Sequence, residues 1–309
     1  FYVGEKIKYG VALDDFNNNG KDDIVFGTNS DNIYLIYDNG NIADGFPYTT
    51  GDKISAAPSI ISYGDFHIII AGSNDNNLYA INQHGDVRFI FESQGNIVNS
   101  PSFLNHQNEC YIVFSDSEGI LYLINDSGNL IAPFPIILNS NIVGSIIFSD
   151  LNNDNDPEMI FGTDLGELYV MNLDGSLYSN HIPFTYQFSF QSTPLVYDID
   201  NDLDLEILVG TSQSINVYDI KENGNNTNYW SMFRGNQRRN GVHHFETFCE
   251  HGDINFDNHI DISDVILQIN FVLSLIFPDD LQTCAADLNI DGNIDLFDII
   301  FLVNLIIDS

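Results

Sequence analysis

The chain has 309 residues, with 44 Asp plus Glu against 9 Lys plus Arg and a formal charge of −35. A field of that sign repels phosphate backbones and anionic headgroups, which excludes nucleic acid and acidic membrane surfaces as partners. With 44% hydrophobic and 13% aromatic residues the chain can bury enough apolar area to offset its entropy, so the acid does not signal disorder. At roughly 150 residues per domain, about two domains are expected. The longest apolar stretches, His67–Gly72 and Val265–Phe277, are shorter than the ~20 residues of a membrane-crossing helix, so no membrane insertion is expected. Opening on Phe1 without Met or a basic-then-apolar leader, the chain is expected to be a processed protein or a fragment, with room for further repeats upstream.

From the N-terminus onward, an apolar strand ending in a small pair recurs at Ile24–Thr28, Ile68–Ser73, Tyr111–Asp116, Met159–Thr163 and Ile207–Thr211. Its markers, Gly27, Gly72, Ser115, Gly162 and Gly210, stand 43 to 48 residues apart. A second apolar strand follows each: Ile33–Tyr37, Leu78–Ile81, Leu121–Ile124, Leu168–Met171 and Ile215–Tyr218, with a polar turn after it such as Asp38-Asn39-Gly40 or Asp174-Gly175. Short apolar runs punctuated by Asn-Gly and Asp-Gly read as antiparallel strands joined by tight turns. A period in the mid-forties holding about four strands predicts a mainly β chain, a β-propeller of about five four-stranded blades. A large sandwich or an open β-solenoid is the alternative. The propeller is placed at residues 1–227, a closing segment and linker at 228–248, and a second domain at 249–309. Phe1–Lys8 is expected to supply an outer strand to the last blade, since ring closure removes free sheet edges.

Between the first two strands of repeats one, four and five, oxygen side chains stand at alternate positions: Asp15-Phe16-Asn17-Asn18-Asn19-Gly20-Lys21-Asp22-Asp23, Asp150-Leu151-Asn152-Asn153-Asp154-Asn155-Asp156-Pro157-Glu158, and Asp198-Ile199-Asp200-Asn201-Asp202-Leu203-Asp204-Leu205-Glu206. Oxygens at positions 1, 3, 5 and 9, with a carbonyl near 7, suit a hard cation of coordination six to eight, which points to calcium. Magnesium demands a tighter octahedron, and zinc wants His or Cys, absent from these loops. An Asp/Asn-rich surface turn is the plain reading of each run. The recurrence at one position in the repeat favours the metal. Repeats two and three carry Gly64-Asp65-Phe66-His67 and His106-Gln107-Asn108-Glu109 there and are expected to be plain hairpins.

The three runs resemble the calcium loops of FG-GAP repeats, the blades of integrin α-subunit propellers and of many secreted bacterial proteins. That resemblance implies side-chain ligands at Asp15, Asn17, Asn19 and Asp23, at Asp150, Asn152, Asp154 and Glu158, and at Asp198, Asp200, Asp202 and Glu206. Lys21, Asp156 and Asp204 would give main-chain oxygen. Position six favours Gly and holds Gly20, Asn155 and Leu203; a left-handed Leu costs ~1–2 kcal/mol.

After Phe248 the pattern changes to loop-then-helix, twice. Asp253 to Asp264 and Asp287 to Asp298 carry oxygens at positions 1, 3, 5, 9 and 12, as an EF-hand calcium loop does, with Asp in place of Glu at 12. The first helix is expected to use Val265, Ile266, Ile269, Val272, Leu273 and Ile276 as one face, and the second to run over Ile299–Ile307. Two such loops without an entering helix resemble a dockerin domain of type I. The resemblance implies one ion on Asp253, Asn255, Asp257, Asp261 and Asp264 with the His259 carbonyl, and another on Asp287, Asn289, Asp291, Asp295 and Asp298 with the Asn293 carbonyl. Loop positions 10 and 11, which help dockerins choose a cohesin, are Ile262-Ser263 and Leu296-Phe297. These suit an apolar partner, the chain's own propeller, or no partner at all. Cys249 and Cys284 stand 35 residues apart at equivalent places before the two loops. They read as a disulfide worth roughly 3–4 kcal/mol or as two free thiols. Cys110 reads as an inert core residue.

No His-Glu-x-x-His, Gly-x-Ser-x-Gly, phosphate-binding Gly loop or Cys-x-x-Cys occurs in the sequence, so the chain is expected not to be an enzyme. Asn228–Gly241 holds Trp230, the one Trp, with Arg234, Arg238 and Arg239. The segment could bind sugar or an anion. The favoured expectation packs Trp230 and Phe233 on the propeller, pairs the arginines with surplus acid, and leaves His243-His244 as linker.

Together these features predict a secreted or cell-surface protein with about five Ca²⁺ ions, three in the propeller and two in the tail. Its expected role is a binding or display module attached through the tail to a cohesin-like or other protein partner, with carbohydrate as a candidate ligand. A polysaccharide lyase or hydrolase, and a self-assembling structural protein of an extracellular fibre or layer, are the alternatives.

Overall fold

The computed structural model describes every residue except 1, 65, 108, 246–250, 256–258, 279, 290–292 and 309. The chain divides into two compact units, Phe1–Phe245 and Glu246–Ser309.

The first unit is mainly β. In chain order, β1 (Ala12–Asp14), β2 (Asp23–Gly27), β3 (Asn32–Ile36) and β4 (Tyr48–Thr49) form sheet one. Sheet two holds β5 (Ser59–Tyr63), β6 (Phe66–Gly72), β7 (Asn77–Asn82) and β8 (Val87–Glu92). Sheet three holds β9 (Ser102–His106), β10 (Glu109–Ser115), β11 (Ile120–Asn125) and β12 (Ile136–Ile137), and sheet four β13 (Ile142–Ser149), β14 (Glu158–Thr163), β15 (Glu167–Met171) and β16 (Phe184–Thr185). Sheet five holds β17 (Leu195–Tyr197), β18 (Asp204–Gly210) and β19 (Ile215–Asn223). These strands form antiparallel meanders, and the two strands expected of every repeat fall on the second and third strands so given. The expectation of four strands fails in sheet five, where the chain leaves β19 directly for the segment after Asn223.

A periodic glycine has a packing cause. A Cβ on Gly27 would stand 2.2 Å from Ile54 Cγ2, and one on Gly72 2.2 Å from Ile97 Cγ2, so the second strand must be bare where the next linker crosses it. Carboxylates then tie the first three linkers to the following sheet: Gly51 N–H donates to Asp75 (2.7 Å), Gly95 N–H to Asp116 (3.0 Å) and Asn141 N–H to Asp164 (3.0 Å). Three carboxylates outside the calcium-type loops therefore join sheets.

The N-terminal segment does not join sheet five. Glu5 accepts from Thr28 Oγ1 (2.6 Å), Asn32 Nδ2 (2.9 Å) and the Tyr34 hydroxyl (3.0 Å), and Asn29 N–H donates to Lys6 O over 2.9 Å. Three donors at the β2–β3 turn satisfy one carboxylate and hold Glu5–Lys6 to sheet one, which corrects the expectation for Phe1–Lys8; Phe1 lies outside the described residues.

Within the segment expected to close the first domain and lead out of it, 228–248, the described residues up to 245 pack on the sheets together with 225–227. Leu13 on β1 donates to Asn240 O (2.9 Å), Phe148 on β13 to Trp230 O (3.0 Å) and Val196 on β17 to Ser231 O (3.1 Å). Trp230 meets Phe103 of β9 edge to face at 5.3 Å, and β20 (Val242–His244) pairs in parallel with β5. One segment thus touches the first strand of all five sheets. Trp230 is buried as expected, but Phe233 is exposed. Arg234 lies inside and donates to Pro58 O and Val11 O (2.6 Å each) and Asn240 O (3.3 Å), not to acid. Arg238 does pair with acid, at Asp22 over 2.7 Å. His243, read as linker, is half-buried and packs on Phe245, ring centroids 4.4 Å apart.

The second unit contains α1 (Ile262–Val272), α2 (Asp280–Ala286) and α3 (Leu296–Asp308) around a core of Ile254, Val265, Phe271, Ala285, Ala286 and Leu302. α2, a helix ahead of the second loop, is not expected from the sequence, since its seven residues Asp280–Ala286 are too few to show a clear apolar period. The buried face of α1 is Asp264, Val265, Gln268 and Phe271; Ile266, Ile269, Leu273 and Ile276, expected on the inner face, are exposed. Both sides of this helix are apolar, so periodicity alone misassigns its inner face. Cys284 is disulfide-bonded, while its expected partner Cys249 lies outside the described residues. Cys110 is a free, buried thiol whose pKa burial pushes well up, as expected of an inert core residue.

Candidate metal centres

The three nine-residue loops share one wiring. The amide of position two donates to the carboxylate of position nine: Phe16 to Asp23 (3.0 Å), Leu151 to Glu158 (2.8 Å) and Ile199 to Glu206 (2.6 Å). The amide of position six donates to the carboxylate of position one: Gly20 to Asp15 (2.6 Å), Asn155 to Asp150 (2.9 Å) and Leu203 to Asp198 (3.2 Å). The loop so closed has left-handed backbone at position six, with φ of 82° at Gly20, 70° at Asn155 and 80° at Leu203. Gly and Asn tolerate that conformation, whereas Leu is strained in it.

Side chains at positions three and five bond within or beside their loops. Asn17 Nδ2 donates to Asp23 (3.1 Å), Asn152 Nδ2 to Asp154 (2.9 Å), and Asn19 Oδ1 accepts from Lys21 N–H (3.0 Å). Lys21 itself spans to Asp38 (2.7 Å) and Asp156 to His106 (3.2 Å). In the fifth loop one oxygen from each of Asp200, Asp202, Asp204 and Glu206 lies within 4.8 Å of the others. The carboxylate of Asp204, expected to give only main-chain oxygen, thus joins the cluster. Its Oδ1 is buried without a hydrogen-bond partner, and its pKa is pushed up to about 6, first by Asp202. In the fourth loop burial, then the charges of Asp154 and Asp150, push Glu158 up to about 7.

Crowded carboxylates with raised pKa values and an orphaned oxygen fit a divalent cation. An oxygen-only donor set without Cys or His fits calcium rather than zinc. Lys21 is spent on Asp38 (2.7 Å) and Lys221 reaches Asp204 only at 3.6 Å, so a calcium ion held by each set would supply most of the positive charge at these loops. By contrast, repeats two and three are two-residue hairpins, with Tyr63 opposite Phe66 and His106 opposite Glu109, as expected.

In the second unit the two last-position carboxylates are fully buried. Asp264 accepts from Ile254 N–H (2.8 Å), Asn255 N–H (3.1 Å) and Asp261 N–H (2.9 Å). Asp298 repeats this with Asn289 N–H (3.2 Å) and Asp295 N–H (2.8 Å). Asp261 and Asp295 in turn accept from Ser263 N–H and Phe297 N–H at the start of α1 and α3 (2.7 Å each). Asp253 is buried, Asp287 and Asn289 are partly exposed, and the side chains of His259 and Asn293 are exposed. Asp257 and Asp291 lie outside the described residues. Ile262, Ser263, Leu296 and Phe297 are all exposed.

Among solved structures, the chain is similar in fold to a crystal structure of BBS1N in complex with ARL6DN, soaked with lead, with a TM-score of 0.53 and 14% identity over 73% of this chain and 69% of that one. The mercury-soaked form of that complex gives a TM-score of 0.52. It is also similar to the biofilm matrix protein Bap1 of V. cholerae, with a TM-score of 0.51 and 17% identity over 71% of this chain and 42% of Bap1. No curated protein matches the sequence. Residues 251–307 match the Dockerin type I domain, so the second unit carries a dockerin domain, a calcium-binding module of protein–protein attachment.

Proposed function

We propose that this chain is an extracellular, calcium-loaded binding and display module, a propeller of five blades joined through its dockerin domain to a cohesin-type partner. The observation that carries this reading is the shared closure of the three loops on oxygen-rich clusters in one unit, beside a dockerin domain in the other. Convergence of all five first strands on residues 225–245 supports the radial blade arrangement. Exposed Ile262, Leu296 and Phe297 support an apolar partner surface at the positions where dockerins select a cohesin.

Thermal melting of the full chain in excess calcium and in EDTA tests the metal part. A higher melting temperature with calcium is expected, since the folded chain binds the ion and the unfolded chain hardly does. Superimposable curves would refute it. Capture of recombinant cohesins by the full chain, abolished by EDTA, tests attachment.

A further inference from the structure

A cleft of about 580 Å³ opens between sheets three and four, beside the fourth calcium-type loop. Its walls combine two aromatic rings, Tyr111 and Tyr178, with aliphatic Leu123 and Ile131 and the amides of Gln107 and Asn172. Both rings are held in place through their hydroxyls, Tyr111 by Glu109 (2.7 Å) and Tyr178 by Glu222 (2.9 Å). They therefore offer ring surface at little entropic cost.

The chemistry of the lining selects among ligands. Asp154, Asp156, Glu158 and Asp174 also border the cleft and repel an anion. With calcium on the fourth loop, Asp154 and Glu158 are taken up by the ion and leave little charge for an organic cation. Asp154 already accepts from Asp156 N–H (2.8 Å) and Asn152 Nδ2 (2.9 Å), Glu158 from Leu151 N–H (2.8 Å), and Asp174 from Ser176 N–H (2.9 Å), while Asp156 faces His106. What remains is the Gln107 amide and the Asn172 side chain, whose Nδ2 donates to Ser176 Oγ (2.8 Å), beside fixed aromatic and aliphatic surface. That combination matches a ring with polar hydroxyl edges and an apolar C–H face. The volume lies within the range of small-molecule sites.

We propose that the cleft between sheets three and four binds a neutral saccharide, stacked on Tyr111 and Tyr178 and hydrogen-bonded by Gln107 and Asn172. This rests on the reading of the first unit as a binding module and names its ligand class and its site.

The test is the full calcium-loaded chain on an array of neutral and uronic-acid oligosaccharides, with an arginine-rich peptide as the cationic control and calorimetry on the best neutral glycan. Retention of a neutral glycan is expected, with affinity at least tenfold lower in Tyr178→Ala and nearly unchanged in Tyr178→Phe, which keeps the ring. Should Tyr178→Ala melt below the parent, Gln107→Ala, at an exposed hairpin position, decides the matter with an expected loss of threefold or more. Retention of only uronic acids or only the peptide, retention of no ligand, or a neutral glycan bound equally by Gln107→Ala and Tyr178→Ala, would each overturn the proposal. A chain that melts higher with calcium and captures a cohesin, yet retains no neutral glycan, loses this inference alone. A chain that does none of these loses the functional reading too.

Discussion

In the fourth loop the Leu151 amide donates to a Glu158 carboxylate oxygen over 2.8 Å, at a site that leaves Glu158 2% exposed. That bond favours the ionised carboxylate, yet burial and the charges of Asp154 and Asp150 outweigh it and raise the pKa from 4.5 to about 7. Without metal, Glu158 in the folded chain keeps a proton that the unfolded chain gives up. Its stabilising share is then fully present below pH 4.5 and lost as pH rises through about 7. Metal-free melting temperature is expected to carry this fall between those limits, and Glu158→Gln to remove it. Calcium binding at this loop releases the proton, so its affinity drops as pH falls below about 7; calcium titrations at several pH values check the sign.

His243 pulls the other way. Burial, with the neighbouring His244 charge, lowers its pKa from 6.5 to about 4. Its share of stability is present above pH 6.5 and lost as pH falls through about 4. In the calcium-loaded chain, where Glu158 is held ionised, melting of the first unit is expected to decline over this acid window. His243→Phe should flatten that decline, and an unchanged acid slope in the variant would remove His243 as the cause.

Arg234 is the polar centre of the segment that meets the five sheets. Its guanidinium, held down to about 10 by burial, remains charged at neutral pH and satisfies three carbonyls. Arg234→Ala leaves those oxygens dry and is expected to cost about 3–5 kcal/mol, far more than loss of the exposed Arg238–Asp22 pair, worth about 0–1 kcal/mol. Denaturant unfolding of the two variants side by side measures the difference.

Leu203 occupies left-handed backbone at φ 80° while 66% exposed. Leu203→Asn sacrifices little burial and relieves strain, so a gain of about 1 kcal/mol is expected in EDTA. No gain in metal-free chemical denaturation would mean that the loop adopts another conformation without calcium.

Reduction should destabilise the tail far more than the first unit, which holds only the free thiol Cys110. A loss of roughly 3–4 kcal/mol is expected from opening a loop of this size. Non-reducing peptide mapping identifies the partner of Cys284, with Cys249 the expected result.

Patterns confined to one loop or one repeat were legible in the chain itself. Asp15, Asp150 and Asp198, with the alternate oxygens after them, advertise the loops because the ligands of a hard cation lie within nine residues of one another. Gly27 and Gly72 mark the repeat because a linker must cross a bare strand. By contrast, the partners of Glu5, the exposed side of Ile266 and Ile269, the carbonyl contacts of Arg234 and the pairing of His243 with Ile61 were not legible, since each depends on what another segment brings alongside.

The sequence by itself determined the strand repeat, the oxygen-rich loops and the dockerin pattern, all set by local spacing and backbone preference. Only the tertiary structure decided that sheet five lacks a fourth strand, that residues 225–245 unite five first strands, and that a cleft lies beside the fourth loop. Those features arise from surfaces scores of residues apart, whose meeting is fixed by packing and by the need of every buried carbonyl and amide for a partner.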